Sequence, residues 1–351
     1  MPLSGVVATE APLGCPQHPL RNDPAPMLQS ASSLRVLLAA AILSLSFAPA
    51  VLAQVPARTV SNTVPLAADG EVTVDNHEGS ITVATWARDR VRYEAEIMPT
   101  DEDPNAKKTT LRVRRSDDRL RLATEHQEGD DESKVFGFTE DGVQWGGINI
   151  PAVHYTITIP RTVALSIDDH ESAIDVTGHA GRLLIDTHEG PITVADQRGE
   201  ITVDSHESPI SITNQKGNVT IDTHEGRIDL RRITGGLSVD THDGELIANE
   251  VDGGVRFESH DGSARVSFTA LSEDVFADTH DGDITLTLPA GTGFDLDTDL
   301  DDDADLTSDF DLQRIRIAED DDELTYRGDV NGGGPEIRFE SNDGDVTLRS
   351  R

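Results

Sequence analysis

The chain reads as an all-β protein, a parallel β-solenoid flattened into two sheets, with about 18 residues per rung and a β cap at each end. The first observation behind this is a nine-residue period of apolar pairs two apart: Leu165/Ile167, Ile174/Val176, Leu183/Ile185, Ile192/Val194, Ile201/Val203, Ile210/Ile212, Val219/Ile221, Ile228/Leu230, Leu237/Val239, Leu246/Ala248, Val255/Phe257 and Ala264/Val266. Two inward side chains around one outward residue mark a short strand, and a fixed period marks a repeat architecture. The second is the residue two places before each pair. It is glycine in nine cases, from Gly181 to Gly262, serine at Ser172 and Ser208, and Val163 once, as expected of a tight corner. The third rides on alternate pairs and doubles the repeat to eighteen: Asp186-Thr187-His188-Glu189-Gly190, Asp204-Ser205-His206-Glu207-Ser208, Asp222-Thr223-His224-Glu225-Gly226, Asp240-Thr241-His242-Asp243-Gly244 and Glu258-Ser259-His260-Asp261-Gly262. A triangular hexapeptide coil would repeat its inward positions every six residues, whereas these recur every nine. Each rung therefore holds two strands and two turns, stacked about 4.8 Å from the next, with the inward side chains filling the space between the sheets.

In chain order, residues 1–26 carry six prolines and no periodicity, and read as an extension from an over-long start assignment. Residues 27–53 read as a signal peptide: Arg35 supplies charge, Val36–Ala53 is mostly apolar, and small residues precede Gln54, the expected mature N-terminus. No membrane span is expected after that cleavage. Residues 56–164 read as an N-terminal β cap holding a first copy of the repeat in Gly70–Val83, with further strands at 90–97 and 110–123 and a polar loop over 125–147. Residues 165–290 form the array, with a slip of two residues between His260 and His280. Residues 291–351 form an acidic segment and a capping rung. Within them, residues 295–311 hold nine aspartates and read as a solvated edge or loop, and residues 332–348 read as the final rung.

The 351-residue chain has 65 acidic and 29 basic residues, a formal charge of −36. Phosphate-backbone binding needs an excess of lysine and arginine, so nucleic acid is excluded as a partner. Aromatic residues make up only 4%, which argues against a stacking platform for sugars or bases. The single cysteine, Cys15, excludes a disulfide framework and a thiolate metal site.

The repeated Asp-Thr-His-Glu-Gly units, the early stretch Asn76-His77-Glu78-Gly79-Ser80-Ile81-Thr82-Val83-Ala84-Thr85-Trp86, and the closing Gly332-Gly333-Gly334-Pro335-Glu336-Ile337-Arg338-Phe339 together resemble the DUF4097 family. The resemblance spans most of residues 60–350. It implies a β-solenoid fold and an exported, adhesin-like role in bacteria. Members of that family more often carry Ser-Gly or Asn-Gly at the corner where this chain has His-Glu-Gly, so the histidines depart from the pattern.

Asp186 and His188 are two apart and project to the same side, so stacking makes parallel columns of Asp186, Asp204, Asp222, Asp240 and Glu258 beside His188, His206, His224, His242 and His260, with Asp168/His170 and Asp278/His280 at their ends. Three readings of this ladder stand side by side. It is a structural, solvated edge; or Asp/His pairs from neighbouring rungs bind a divalent metal, with zinc, nickel or copper suited to imidazole plus carboxylate and calcium to carboxylates alone; or the histidines protonate near pH 6 as an acid response. The same acid/His pair recurring on short turns does not make one catalytic cleft, and no nucleophile elbow, phosphate loop or zinc-hydrolase motif occurs, so the chain does not read as an enzyme. The functional expectation is an exported binding or structural protein of the bacterial envelope, in the periplasm, on the surface or secreted, with a ligand and oligomeric state that the sequence leaves open. The alternatives are a periplasmic metal-binding or sensing module and, third, a polysaccharide-active enzyme.

Overall fold

The computed structural model describes residues 57–101, 103–126, 137–139, 142–144, 150–301, 304–312, 316–320 and 323–351. The extension and signal peptide expected over 1–53 lie outside them, as does most of the loop expected over 125–147.

All 24 side chains of the twelve apolar pairs are buried, because each strand sends alternate residues inward between the sheets. The sheets contain 13 and 14 strands and are mainly parallel, and each rung gives one strand to each. Register follows the eighteen-residue repeat: Ile185 lies beside Val203, Val203 beside Ile221, and Ile221 beside Val239, while on the other sheet Ile192 lies beside Ile210 and Ile210 beside Ile228. A slip of one residue would turn every apolar side chain to water, so the pattern pins the register.

The two corners of a rung are built differently. At one, Asp196, Asn214, Arg232 and Glu250 all adopt φ between 55° and 61°, and the next residue turns inward. Two of those inward residues are glutamines: Gln197 and Gln215 donate Nε2 hydrogen bonds to the carbonyls of Gly181 (2.7 Å) and Gly199 (2.6 Å) in the rung before. The corner glycines let successive rungs approach. At Gly217, with φ of 128°, an added Cβ would lie 2.4 Å from the Gly199 carbonyl oxygen.

Strands Glu71–Asp75 and Glu78–Trp86 stack directly on the array, with Val72 beside Leu165 and Ile81 beside Ile174. Val72/Val74 and Ile81/Val83 obey the nine-residue spacing, so they complete a rung although far earlier in sequence. Strands Arg119–His126 and Val153–Pro160 lie beyond them, and the antiparallel strands Thr109–Arg115, Arg90–Ile97 and Arg58–Pro65 close that end. The single strand expected over 110–123 is a hairpin, because Ser116–Asp118 forms a turn whose Ser116 amide donates to the Arg119 carbonyl.

Two expectations for the C-terminal region are corrected. The aspartate-rich stretch is not a solvated edge or loop at its start: Phe294–Asp301 is an inner strand of the larger sheet, flanked by Glu336–Ser341 and Glu323–Val330. Phe294, Leu296, Thr298 and Leu300 alternate inward and the aspartates outward, so period two overrides net charge. Strands Glu336–Ser341 and Val346–Ser350 are not the final rung in space. They insert between the rung of Val275–Thr279 and Ile284–Leu288 and that of Phe294–Asp301 and Leu306–Ser308. The two-residue slip is taken up after strand Ala264–Ala270, whose pairing with Glu245–Asp252 is irregular near Val251.

Candidate functional site

The Asp-x-His-Glu/Asp-Gly corner runs the length of the stack on one side. The residue between the acid and the histidine turns inward: Thr187, Ser205, Thr223, Thr241 and Thr279 are buried polar residues. Their hydroxyls tie the corner together. Thr223 donates to the Glu225 carbonyl at 3.0 Å and accepts from Ser205 at 3.0 Å, and the amides of Gly244 and Gly282 donate to Thr241 and Thr279 at 2.9 and 3.0 Å. The residues on either side of this hydroxyl column are held outward, which is what forms the ladder.

Asp169 takes the hydroxyl position in the rung of His170. It is buried, and its carboxylate accepts from the Ser172 amide and hydroxyl, both at 2.6 Å. Burial pushes its pKa up, against the hydrogen bonds from Ser172. The signal was aspartate at 169 where the units from Asp186 onward carry threonine or serine.

The imidazoles form one continuous stack of eight. Rings of His77, His170, His188, His206, His224, His242, His260 and His280 follow one another with centroids 4.7 to 5.0 Å apart and planes within 11° of parallel. Sequence reading left out His77, whose sign was the Asn76-His77-Glu78-Gly79 copy. From His170 onward each Nδ1 faces the carboxylate of the next residue. The distances are 3.4 to 3.8 Å to Glu171, Glu189, Glu207 and Glu225, then 2.9, 2.6 and 2.6 Å to Asp243, Asp261 and Asp281. About half of each of these side chains is exposed. At His242, His260 and His280 the short bonds have Nδ1–H donating to a carboxylate, which leaves Nε2 of the neutral ring as the nitrogen with a lone pair, the arrangement in which imidazole is a good metal ligand.

Asp186, Asp204, Asp222, Asp240 and Glu258 form a second column, in register with Asp168 before them and Asp278 and Glu340 after. Arg121 bonds Asp75 at one end (2.5 Å), and Arg256 and Arg338 bond Glu258 and Glu340 toward the other. Among the described residues no basic side chain pairs with Asp168 through Asp240. The pKa values of Asp186 and Asp222 are raised, first by partial burial and then by the aspartates above and below; Asp278 is raised by burial, Glu340 and Glu258. No ladder histidine comes within 4.0 Å of the aspartate two residues before it, so the Asp186/His188-type pairs stand as neighbouring columns and do not converge.

Adjacent parallel rings 4.8 Å apart are separated by more than twice a Zn–N bond of about 2.0–2.1 Å, so one ion cannot bridge two of them without the rings moving. Among the described residues, one group of three potential ligands converges: His280, Asp281 and Asp343, with donor atoms within 4.8 Å of one another. There the imidazole stack ends, because the next rung places Asn342 and Asp343 beside His280 and Asp281. The His280 pKa is raised, first by its hydrogen bond to Asp281 and then by the charges of Asp281, Asp343 and Asp261.

The surface grooves lie elsewhere. One is lined by Val219, Leu237, Val255, Arg256, Glu273 and Phe276, and others lie beside the arginines of the 109–126 hairpin; none is lined by a ladder histidine. No helix among the described residues is long and apolar enough to cross a membrane.

Solved structures align with the chain at low identity, among them three from bacteria. One, described as a "putative cell adhesion protein" from Clostridium sporogenes, is 10% identical over 84% of this chain and 100% of its own, with a TM-score of 0.22. A "putative adhesin" from Bacteroides fragilis is 11% identical over 84% of this chain and 97% of its own, TM-score 0.38, and one from Parabacteroides distasonis is 13% identical over 83% and 97%, TM-score 0.29. No curated protein matches. The Toastrack DUF4097 family model matches residues 70–349, which takes in the stacked rungs and both columns, and the chain belongs to that family.

Proposed function

We propose that the protein is an exported, adhesin-like binding protein of the cell envelope, and that the histidine and carboxylate edge is its recognition surface. The carrying observation is the unbroken stack of eight imidazoles, of which the seven from His170 on are about half exposed and each paired with a carboxylate, at one spacing along the corner. A surface that repeats every rung suits an extended or multivalent ligand, since many weak contacts at fixed spacing add through avidity. It does not suit catalysis, which needs one enclosed acid/base pair rather than seven equivalent ones. Export rests on the apolar stretch 36–53. N-terminal sequencing of the native protein, with fractionation of the cells, tests it: a mature chain starting near Gln54 outside the cytoplasm is expected, and an uncleaved cytoplasmic chain sinks export. The binding reading is tested by attachment of the purified chain to whole cells and to isolated envelope glycans. Replacing His188, His206, His224 and His242 by Asn should weaken attachment by at least the several-fold loss expected of a multivalent surface, and unchanged attachment rules this edge out.

A metal-binding role is the second reading, favoured by the convergence of His280, Asp281 and Asp343. An imidazole and two carboxylates match the nitrogen and oxygen ligands of zinc, nickel or copper. The five-rung ladder Asp186/His188 to Glu258/His260 would take such ions only singly, one imidazole at a time.

A further inference from the structure

We propose that the protein assembles head to tail with further copies of itself, the two terminal strands of its larger sheet pairing so that the sheet continues from one molecule to the next. Those strands are Thr109–Arg115 at one end and Arg316–Asp320 at the other. Among the described residues neither has a neighbouring strand on its outer edge. An open strand edge is a row of unsatisfied N–H and C=O groups that can template pairing with another chain.

Three observations select a second copy as the occupant. The first is where apolar surface is left uncovered. Only Val113, Leu184 and Ile317 are large apolar residues exposed among the described residues, and two of the three sit on these two strands, Val113 37% and Ile317 64% exposed. Val113 lies opposite buried Leu122, and Ile317 lies opposite Tyr326, which packs on the core. Both therefore stand on the inward face, at the two open ends of one hydrophobic core, and end-to-end docking would cover each with the other end.

The second is strand direction. Arg316–Asp320 runs the same way as the array, being two antiparallel steps from Phe294–Asp301, which is parallel to Glu336–Ser341. Thr109–Arg115 runs opposite to the array, being antiparallel to Arg119–His126, which is parallel to Glu71–Asp75. One end brought against the other in the same orientation thus gives an antiparallel pair, the more favourable ladder.

The third is charge. Residues 109–121 hold five arginines and two aspartates, whereas the described residues between 295 and 330 hold eleven acidic and two basic residues. Arg112, Arg119 and Arg121 bond Glu125, Glu71 and Asp75 of their own chain, and Arg114 and Arg115 hold no carboxylate among the described residues. A basic end against an acidic end favours head-to-tail contact and opposes pairing of like ends. The contact is heterologous, so it leaves the same two ends free and propagates into a filament. It would also lengthen the imidazole and carboxylate edge from one molecule to many.

The test uses the full chain with Cys15 replaced by Ser, and two single variants in that background, V113C and I317C. Under mild oxidation, mixing the two should give a disulfide-linked dimer that neither forms alone, and the doubly substituted chain should give a ladder of dimers, trimers and longer species. The unsubstituted chain should show a weight-average mass that rises with concentration in sedimentation equilibrium, and V113E should abolish the rise. A monomer at every concentration with no cross-link on mixing would overturn the proposal and leave the arginines as guards of the edge. Cross-linking of V113C to itself would overturn it too, by showing a two-fold contact between like ends. Circular dichroism of each variant, taken alongside, separates loss of contact from loss of fold.

Discussion

The imidazoles of His77 and His170 stack with centroids 4.7 Å apart and planes 11° from parallel, although a long excursion of the chain separates them. The excursion adds the strands that close the N-terminal end, and the chain then returns to place His170 one rung above His77. The imidazole stack thus begins one rung before the contiguous repeats, and its length is set by stacking order.

The corner glycines are the positions where the stack should be most sensitive to one methyl group. Gly217→Ala should lose about 1–3 kcal/mol from its backbone conformation alone, with more from the clash at 2.4 Å with the Gly199 carbonyl. Gly291→Ala, at φ of 78° with nothing within 4 Å of an added Cβ, should lose only the conformational part. Urea denaturation of the two variants checks the contrast; equal losses would show that rung contact does not matter.

Thr223→Val keeps the volume of a buried side chain and removes the hydroxyl that donates to the Glu225 carbonyl and accepts from Ser205. It should destabilise by about 1–3 kcal/mol, since polar groups are left buried without partners. Thr220→Val, whose side chain points outward, should change little. The same denaturation series reads both.

Stability should rise on mild acidification. Asp169, Asp186, Asp222, Asp278 and His280 all have folded pKa values raised above their ordinary ones. Such groups bind protons more tightly when folded, so their contribution is fully present below the unfolded pKa, about 3.9 for Asp and about 6.5 for His, and is lost as pH rises through the folded value. Buried His179, whose Nε2 lies 2.8 Å from the Val163 carbonyl, is shifted down by burial and acts in the opposite sense, its contribution being lost as pH falls below about 6.5. Thermal melts between pH 8 and 4.5 should therefore show a Tm that increases on the acid side for the native chain, and a flatter curve for Asp186→Asn with Asp222→Asn. A native Tm that falls steadily with acid, with no difference in the double variant, would refute the assignment.

Zinc or nickel added to the metal-stripped chain at pH 7.5 should raise its Tm if the end of the imidazole stack is a site, because a ligand at 100 times its Kd stabilises by about 2.7 kcal/mol. His280→Asn and Asp343→Asn should each abolish the strongest part of that shift, and His206→Asn should leave it in place. Loss of the shift in all three variants equally would point to the whole ladder, and no shift in the native chain would remove the metal reading.

The solenoid was legible in the sequence because burial imposes a period on the residues that meet it. The pairs from Leu165/Ile167 to Ala264/Val266 predicted the two sheets, the eighteen-residue rung and the inward columns, and the Asp-x-His motif predicted that Asp186 and His188 both face water. Phe294–Asp301 carried the same alternation, and its run of aspartates masked it. The order of rungs in space was not legible. A strand satisfies its backbone on any neighbour of matching length and register, so nothing local says that Glu71–Trp86 sits beneath Ala164–Thr177 or that Glu336–Ser350 inserts ahead of Phe294–Ser308. Only the tertiary structure decided which rungs meet, and with that the eighth imidazole, the meeting of His280 with Asp343, and the residues left at the two open ends.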